Sequence, residues 1–266
     1  MAQVIVTGLR RLIGRGPQAV FTRRGLRWKL DLNEGIDFSI YLLGAFEPST
    51  VSAYQRLVKP GDTVLDIGAN VGAHTLHLAE AVGATGTVIA FEPTAFAFAK
   101  LQANIALNPT LALRTAAGQI MLLDRADAPP TEIYSSWPLG NANGLHELHG
   151  GQLKSTQGAR GVMLDQVVAD MNLARVDFIK LDVDGFECQV LRGAAETLKR
   201  FHPVILMEIA PHVLKEQGES LESLVVLLTS HGYRFSHLSG AVLPTDVAAL
   251  HRLVPDGVSL NVIARV

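Results

Sequence analysis

Thr63-Val64-Leu65-Asp66-Ile67-Gly68-Ala69-Asn70-Val71-Gly72 is an apolar run that ends in a carboxylate and turns through glycines into a second apolar run. It reads as a buried β-strand, a tight turn at Gly68 and a helix over residues 73–82. Gly72 lets a ligand or a neighbouring backbone come close. The first N–H groups of that helix have no partner within it and face whatever binds at the turn. A nucleotide-type site is the expectation.

Dinucleotide sites carry Gly-x-Gly-x-x-Gly. Here Gly68 and Gly72 flank Asn70, and the middle glycine is absent. A pyrophosphate on the helix N-terminus would also lie near Asp66, which is repulsive in a low-dielectric cleft. S-adenosylmethionine has an ammonium, a sulfonium and no phosphate, and suits this turn better than NAD. The next unit supports a ribose without choosing between the two. Gly86 to Pro93 reads as a buried strand ending in Glu92, 24 residues past Gly68, where an acid accepts hydrogen bonds from a ribose diol. The alternative for Glu92 is a surface acid capping the helix near Thr94.

The chain has 266 residues, 48% of them hydrophobic, enough for one sizeable α/β domain with a short extension. A lone cysteine, Cys188, excludes an internal disulfide and a cysteine-based zinc cluster and fits a reducing, cytoplasmic setting. No stretch approaches the roughly 18 apolar residues of a transmembrane helix. The net charge of −2 hides an asymmetry: residues 1–30 hold seven Arg/Lys and no acid. Such a basic arm on an acidic body reads as a solvated segment, with a membrane surface or polyanion as the alternative. Val4-Ile5-Val6 is too short for a signal-peptide core, while an Arg-rich transit peptide stays open.

Two regions follow. Residues 1–50 form an N-terminal extension with a hairpin over 19–32 around Arg24-Gly25 and a short helix from Ile36 to Phe46. Residues 51–266 alternate helices (Val51–Val58, 73–82, 95–107, 165–172, 187–200, 221–230) with strands (63–67, 87–91, 111–116, 176–181, 203–209, 233–238, 259–265). The alternation predicts an α/β fold, a mostly parallel seven-stranded sheet with helices on both faces, its final strand inserted antiparallel. Residues 125–160, with Pro129-Pro130, Trp137-Pro138 and Gly150-Gly151, break the rhythm and read as a long loop, a substrate lid with plain disorder as the alternative.

Val176 to Glu187 (VDFIKLDVDGFE) places Asp182, Asp184, Gly185 and Glu187 where the fourth parallel strand ends. Ligands in such sheets bind at carboxyl strand ends, so these acids converge on Asp66 and Glu92. An EF-hand is a poor fit, because its glycine stands sixth and here it stands fourth; no metal is expected. Asp184 and Glu187 also serve a turn and a helix dipole.

On these segments, with Gly44-Ala45-Phe46-Glu47-Pro48, Asn104, Asn108, Val190 to Ala194 and Pro203 to Glu208, the chain resembles the FkbM family of S-adenosylmethionine-dependent methyltransferases. The resemblance spans about Gly44 to Ala210. It implies the Rossmann-like class I methyltransferase fold and methylation of a hydroxyl on a sugar, glycan or natural product. Carried over, it implies that Asp66, Gly68, Asn70 and Gly72 line the methionine and ribose side of the cofactor and that Glu92 binds the ribose. Ala117 and Gly118 would border the adenine, although Gln119 stands near where the family often has an acid. Glu47 would close over the ammonium or merely begin a helix.

An alcohol acceptor benefits from a base as its proton leaves. Asp182 leads by location, followed by Glu208 and His212 at the end of the next strand. His146 and His149 read as solvated, and Cys188 as packed. A nucleic-acid amino-methyltransferase would carry Asn/Asp-Pro-Pro-aromatic where this chain has Asp182-Val183-Asp184-Gly185, so no nucleic-acid partner is expected. A dinucleotide-dependent oxidoreductase shares the architecture and remains the rival on fold alone.

Overall fold

The computed structural model describes residues 2–135, 138–139, 145 and 151–266. The leading module comprises α1 (Ala2–Leu12), β1 (Gln18–Arg23), β2 (Leu26–Asp31) and α2 (Gly35–Leu43). Arg24 and Gly25 both have positive φ, the left-handed pair whose twist suits a two-residue hairpin. Leu26, Trp28 and Leu30 alternate inward with Arg27 and Lys29 outward.

After it come α3 (Pro48–Leu57), β3 (Thr63–Ile67), α4 (Thr75–Ala81), β4 (Thr87–Phe91), α5 (Ala95–Ala106), α6 (Pro109–Ala112) and β5 (Thr115–Gly118). An inserted region holds β6 (Ile120–Leu122), β7 (Glu132–Ser135), β8 (Gln152–Ser155) and β9 (Arg160–Val162). The second half runs α7 (Leu164–Asp170), β10 (Phe178–Leu181), α8 (Glu187–Arg192), α9 (Ala195–Phe201), β11 (Val204–Ile209), α10 (Pro211–Glu216), α11 (Leu221–Ser230), β12 (Arg234–His237), α12 (Val247–Leu253) and β13 (Leu260–Arg265).

Seven strands form one sheet in the order β12-β13-β11-β10-β3-β4-β5. β13 is antiparallel to both neighbours, as expected; β11, β10, β3, β4 and β5 are mutually parallel. The chain winds outward from β3 in one direction and from β10 in the other, so the crevice of this sheet lies between those two strands. Leu65, Ile67, Ile179, Leu181, Ile205 and Met207 face one hydrophobic layer, and Val64, Phe178 and Leu206 face the other with Trp28, Leu30 and Tyr54. Helices therefore cover both faces.

Asn104 and Asn108 of α5 fasten the leading module. Asn104 accepts from Lys29 N–H (2.7 Å) and donates to Val71 O (2.8 Å), and Asn108 pairs with both backbone groups of Arg27 (2.9 and 2.8 Å). The two amides thus tie the edge of β2 to the loop that follows Gly68.

Several expectations need correction. The basic segment begins with a helix, α1. The strand placed at 111–116 starts at Thr115, because Pro109 opens a short helix first. The helix placed at 187–200 divides at Gly193, where an added Cβ would lie 2.1 Å from Leu123 O; the backbone of the inserted region crosses there. Residues 125–160 are not structureless, since β7 and β8 pair as an antiparallel hairpin. α10 and α12 fill stretches expected to be irregular. Among the described residues no helix is long and apolar enough to cross a membrane.

Candidate active site

The site follows from strand register. Lys180 stands opposite Asp66 on one side and Leu206 on the other, so these side chains share a face of the sheet. Glu208, two residues beyond Leu206, shares it as well. That face is apolar in its lower half (Val64, Phe178, Leu206) and ionic at its carboxyl end (Asp66, Lys180, Glu208).

Lys180 is buried and gives its ammonium to Asp182 Oδ2 at 2.8 Å. Burial pulls its pKa down, but the charges of Asp182, Asp66 and Glu47 outweigh this and hold it above the ordinary lysine range. Asp66 is fully enclosed and accepts from Thr75 Oγ1 at 2.6 Å. Burial raises its pKa and the nearby Lys180 ammonium opposes the rise.

The glycine turn sits against this cluster. Gly68 has φ +80, and a Cβ there would lie 1.7 Å from the carbonyl oxygen of Asp182. Asn70, at φ +47, is held by Glu92, whose Oε2 accepts Asn70 N–H at 2.9 Å. Oε1 of Glu92 accepts the amide (2.8 Å) and hydroxyl (2.6 Å) of Thr94. Burial raises the pKa of this carboxyl, and the hydrogen bonds from Thr94 and Asn70 counter the rise.

Two adjoining cavities open here. The first is walled by Phe91, Ile120, Met121, Leu122, Ile133 and Phe186, with Glu92 and Asn70 at its polar side. The second is walled by Glu47, His74, Lys180, Asp182, Asp184 and Glu208. Gly68, Asn70, Ser135, Asp182 and Asp184 border both. Ser135 comes from the inserted hairpin and accepts from Asn70 Nδ2 at 3.3 Å.

Most expected residues converge here: Glu47, Gly68, Asn70, Glu92, Asp182 and Glu208 line a cavity. Glu47 also begins α3 in a left-handed conformation; its Oε1 accepts from Asn261 Nδ2 (3.3 Å) and its pKa is raised by burial. Glu92 is a buried turn-maker rather than a surface cap. Others stand apart. Asp66 lies behind the lining, and Gly72 packs on Leu101, whose Cδ1 a Cβ would meet at 2.9 Å. Ala117 and Gly118 end β5, where Gly118 O accepts Glu92 N–H at 3.2 Å, while Ile120 to Leu122 form the neighbouring cavity wall. His212 lines neither cavity. Glu187 caps its own turn through Val183 N–H (3.2 Å) and Gly185 N–H (3.4 Å). Cys188 is packed, its thiol pushed up to about 12 by burial. His146 and His149 lie outside the described residues.

Glu208 is lifted to about 7, first by burial and then by the charge of Asp182. His74 went unnoticed in the sequence. It is buried beside Glu47, with Nε2 at 3.7 Å from Oε2, and burial holds its pKa well below the ordinary value, so the ring is neutral. Lys180 was not singled out either, although a lysine inside the apolar run Phe178-Ile179-Lys180-Leu181 has to find carboxylates.

The sequence matches the methyltransferase FkbM domain family over residues 66–235, more than half of the chain. The chain belongs to the FkbM methyltransferase family. S-adenosylmethionine is the methyl donor of such enzymes, and the residues present fit it. The tight glycine turn and apolar cavity with Glu92 suit an adenosine, and the carboxylate-walled cavity suits a cationic amino-acid end. Two relatives are 31-O-demethyl-FK506 methyltransferase FkbM of Streptomyces tacrolimicus and hexuronic acid methyltransferase AglP of Haloferax volcanii. FkbM of S. tacrolimicus is 29% identical, over 66% of this chain and 74% of that protein, and AglP is 26% identical, over 54% and 55%. The crystal structure of methyltransferase FkbM from Methylobacillus flagellatus superposes with a TM-score of 0.48 at 14% identity, covering 81% of this chain and 50% of that one. Across its curated relatives the chain spans between 10% and 74% of their length.

Proposed function

We propose that this FkbM-family protein methylates a hydroxyl oxygen on an uncharged sugar, glycan or natural product, with Glu208 receiving the hydroxyl proton. The observation that carries this reading is Glu208 itself: a carboxyl lifted to about 7, lining the cavity beside Asp182 and close to the glycine turn. A base poised near the working pH combines a large ionised fraction with a strong pull on the proton.

When bound, S-adenosylmethionine supplies the methyl carbon, whose bond to sulfur breaks with its electron pair left on sulfur as the acceptor oxygen attacks. Gly68 and Asn70 shape the turn that receives it. Glu92 holds that turn and offers its remaining lone pairs to the ribose. Asp182, anchored by Lys180, orients the acceptor hydroxyl, a positioning task that lowers the entropic barrier. Of the hairpin, Ser135 borders both cavities and Ile133 the apolar one.

The neutral acceptor rests on charge and on one relative, which acts on 31-O-demethyl-FK506; a second relative acts on a hexuronic acid and stands against it. Where the acceptor reaches Glu208, the cation of that lining, Lys180, is already paired with Asp182 at 2.8 Å, which leaves a phosphate or carboxylate without an answering charge and favours a neutral acceptor over nucleic acid or a uronate. Transfer of labelled methyl to neutral glycans and hydroxylated metabolites tests this reading. Glu208→Gln should bind S-adenosylmethionine like the parent and lose about 10²–10⁴-fold in turnover. Unchanged turnover would remove Glu208 from the role.

A further inference from the structure

We infer that α1 docks this protein on an anionic lipid surface. A helix on a globular body normally turns its apolar stripe inward. α1 does the reverse. Gln3, Thr7 and Arg10 face the body together with Val6, while Ile5, Leu9 and Leu12 point outward at 56%, 59% and 83% exposure. These three recur at the spacing of one helical face, and exposed Val4 and Ile13 extend it.

The helix is seated by polar contacts. Gln3 Nε2 donates to Asn33 Oδ1 (3.2 Å), Arg10 Nε donates to Gly16 O (3.0 Å), and the Arg10 guanidinium lies 4.9 Å from the centre of the Phe21 ring. Arg23 shares that ring and stacks on Tyr41 at 4.3 Å. Next to Tyr41, Leu42 and Leu43 are exposed, and the Arg24 side chain closes on Gly44. Arginines and aromatic rings thus link α1 to β1 and to the end of α2.

Charge selects the occupant. Residues 1–30 carry seven cations and no acid, against Asp31, Glu34 and the buried Asp37 in the stretch that leads to Leu43. A second copy docked by this same patch would set cation against cation across a two-fold contact. Nucleic acid would answer the arginines and leave the leucine and isoleucine stripe unexplained. A bilayer with anionic headgroups answers both, receiving the apolar stripe at the acyl boundary and the arginines at the phosphates.

Sedimentation of the full chain with phosphatidylcholine vesicles, with and without phosphatidylglycerol, tests the inference. The protein should pellet with the anionic vesicles and stay in solution with neutral ones. Partitioning should fall about fivefold for each cation removed, as in Arg11→Gln or Arg15→Gln. Leu9→Glu, at an exposed position remote from the cofactor cavities, should abolish it while thermal unfolding and S-adenosylmethionine affinity stay as in the parent. Three outcomes overturn the proposal. They are no pelleting with anionic vesicles, pelleting untouched by Leu9→Glu, and a concentration-dependent dimer in ultracentrifugation that Leu9→Glu dissolves while vesicles stay unbound. Because cofactor affinity is read separately, failure here leaves the methyltransferase reading standing, and the converse holds as well.

Discussion

The carbonyl oxygen of Asp182 fills the place where a side chain on Gly68 would begin, 1.7 Å from that Cβ position. The end of β10 and the turn after β3 are thereby packed backbone on backbone, which holds the two halves of the site in register. Gly68→Ala has to displace one strand end and also place an alanine at φ +80. The left-handed conformation alone costs about 1–3 kcal/mol. We expect a lower unfolding temperature and loss of S-adenosylmethionine binding by calorimetry; a variant that binds like the parent would show that the turn is more pliable than its packing implies.

Asn104→Ala removes the partners of Lys29 N–H and Val71 O together. Val71 O is buried, and leaving it unpaired costs about 1–3 kcal/mol; the part-buried Lys29 N–H adds less. Denaturant unfolding should register the loss, and proteolysis should release the leading module before the rest of the chain. Equal protease resistance in parent and variant would contradict the role given to this amide.

Activity and stability should run in opposite directions with pH. Glu187 and Glu208 are both raised from 4.5 to about 7, mainly by burial. The folded state therefore favours their protonated forms. This contribution is complete below 4.5 and is lost as pH rises through about 7. Turnover needs the Glu208 carboxylate and should rise across that same interval. Glu208→Gln imitates the protonated group, so its stability should depend less on pH while its turnover stays low; a parent whose rate is flat through neutrality would count against Glu208 as base.

Lys180→Met leaves Asp66 and Asp182 without their buried cation. Breaking one side of a buried pair costs about 3–5 kcal/mol, and the share from Asp182 is reduced by its partial exposure. Since Lys180 lowers the pKa values of Asp66 and Glu47, its removal lets both protonate at higher pH. The stability gap between parent and variant should then narrow on acidification. A constant gap would mean that the lysine acts by packing alone.

Acceptor charge provides a separate check. A neutral hexose derivative should be methylated with a lower KM than the corresponding uronate, and the difference should shrink at high salt, where exposed charges are screened. Preference for the uronate would require another cation in the acceptor path.

Much of the sheet was readable because its strands carry local signals. Val88 to Phe91 and Val204 to Met207 are short apolar runs bounded by turns, and the parallel order follows from alternation with helices. The break at Gly193 was invisible, because what forces it is Leu123, some seventy residues away. The β7–β8 hairpin was equally hidden; its residues alternate too weakly to announce a strand, and pairing supplies what propensity lacks. In the site, acids at strand ends were legible one strand at a time. That Asp66 would sit behind the lining and Glu208 within it depends on register between strands, which no single segment encodes. His74 gave no signal, as nothing local marks a histidine that burial keeps neutral.

Glu47 and its partner Asn261 are 214 residues apart, and Asn261 belongs to β13, the strand inserted between β11 and β12. A ribosome adding about 5–20 residues per second makes the second of this pair roughly 10–40 s after the first. Throughout that time a nascent chain can already own the glycine turn and β10, but the sheet remains open where β13 will lie. The acidic wall is thus the last part of the site to close during synthesis. A product cut short before residue 260 would lack β13 and with it the Asn261 partner of Glu47.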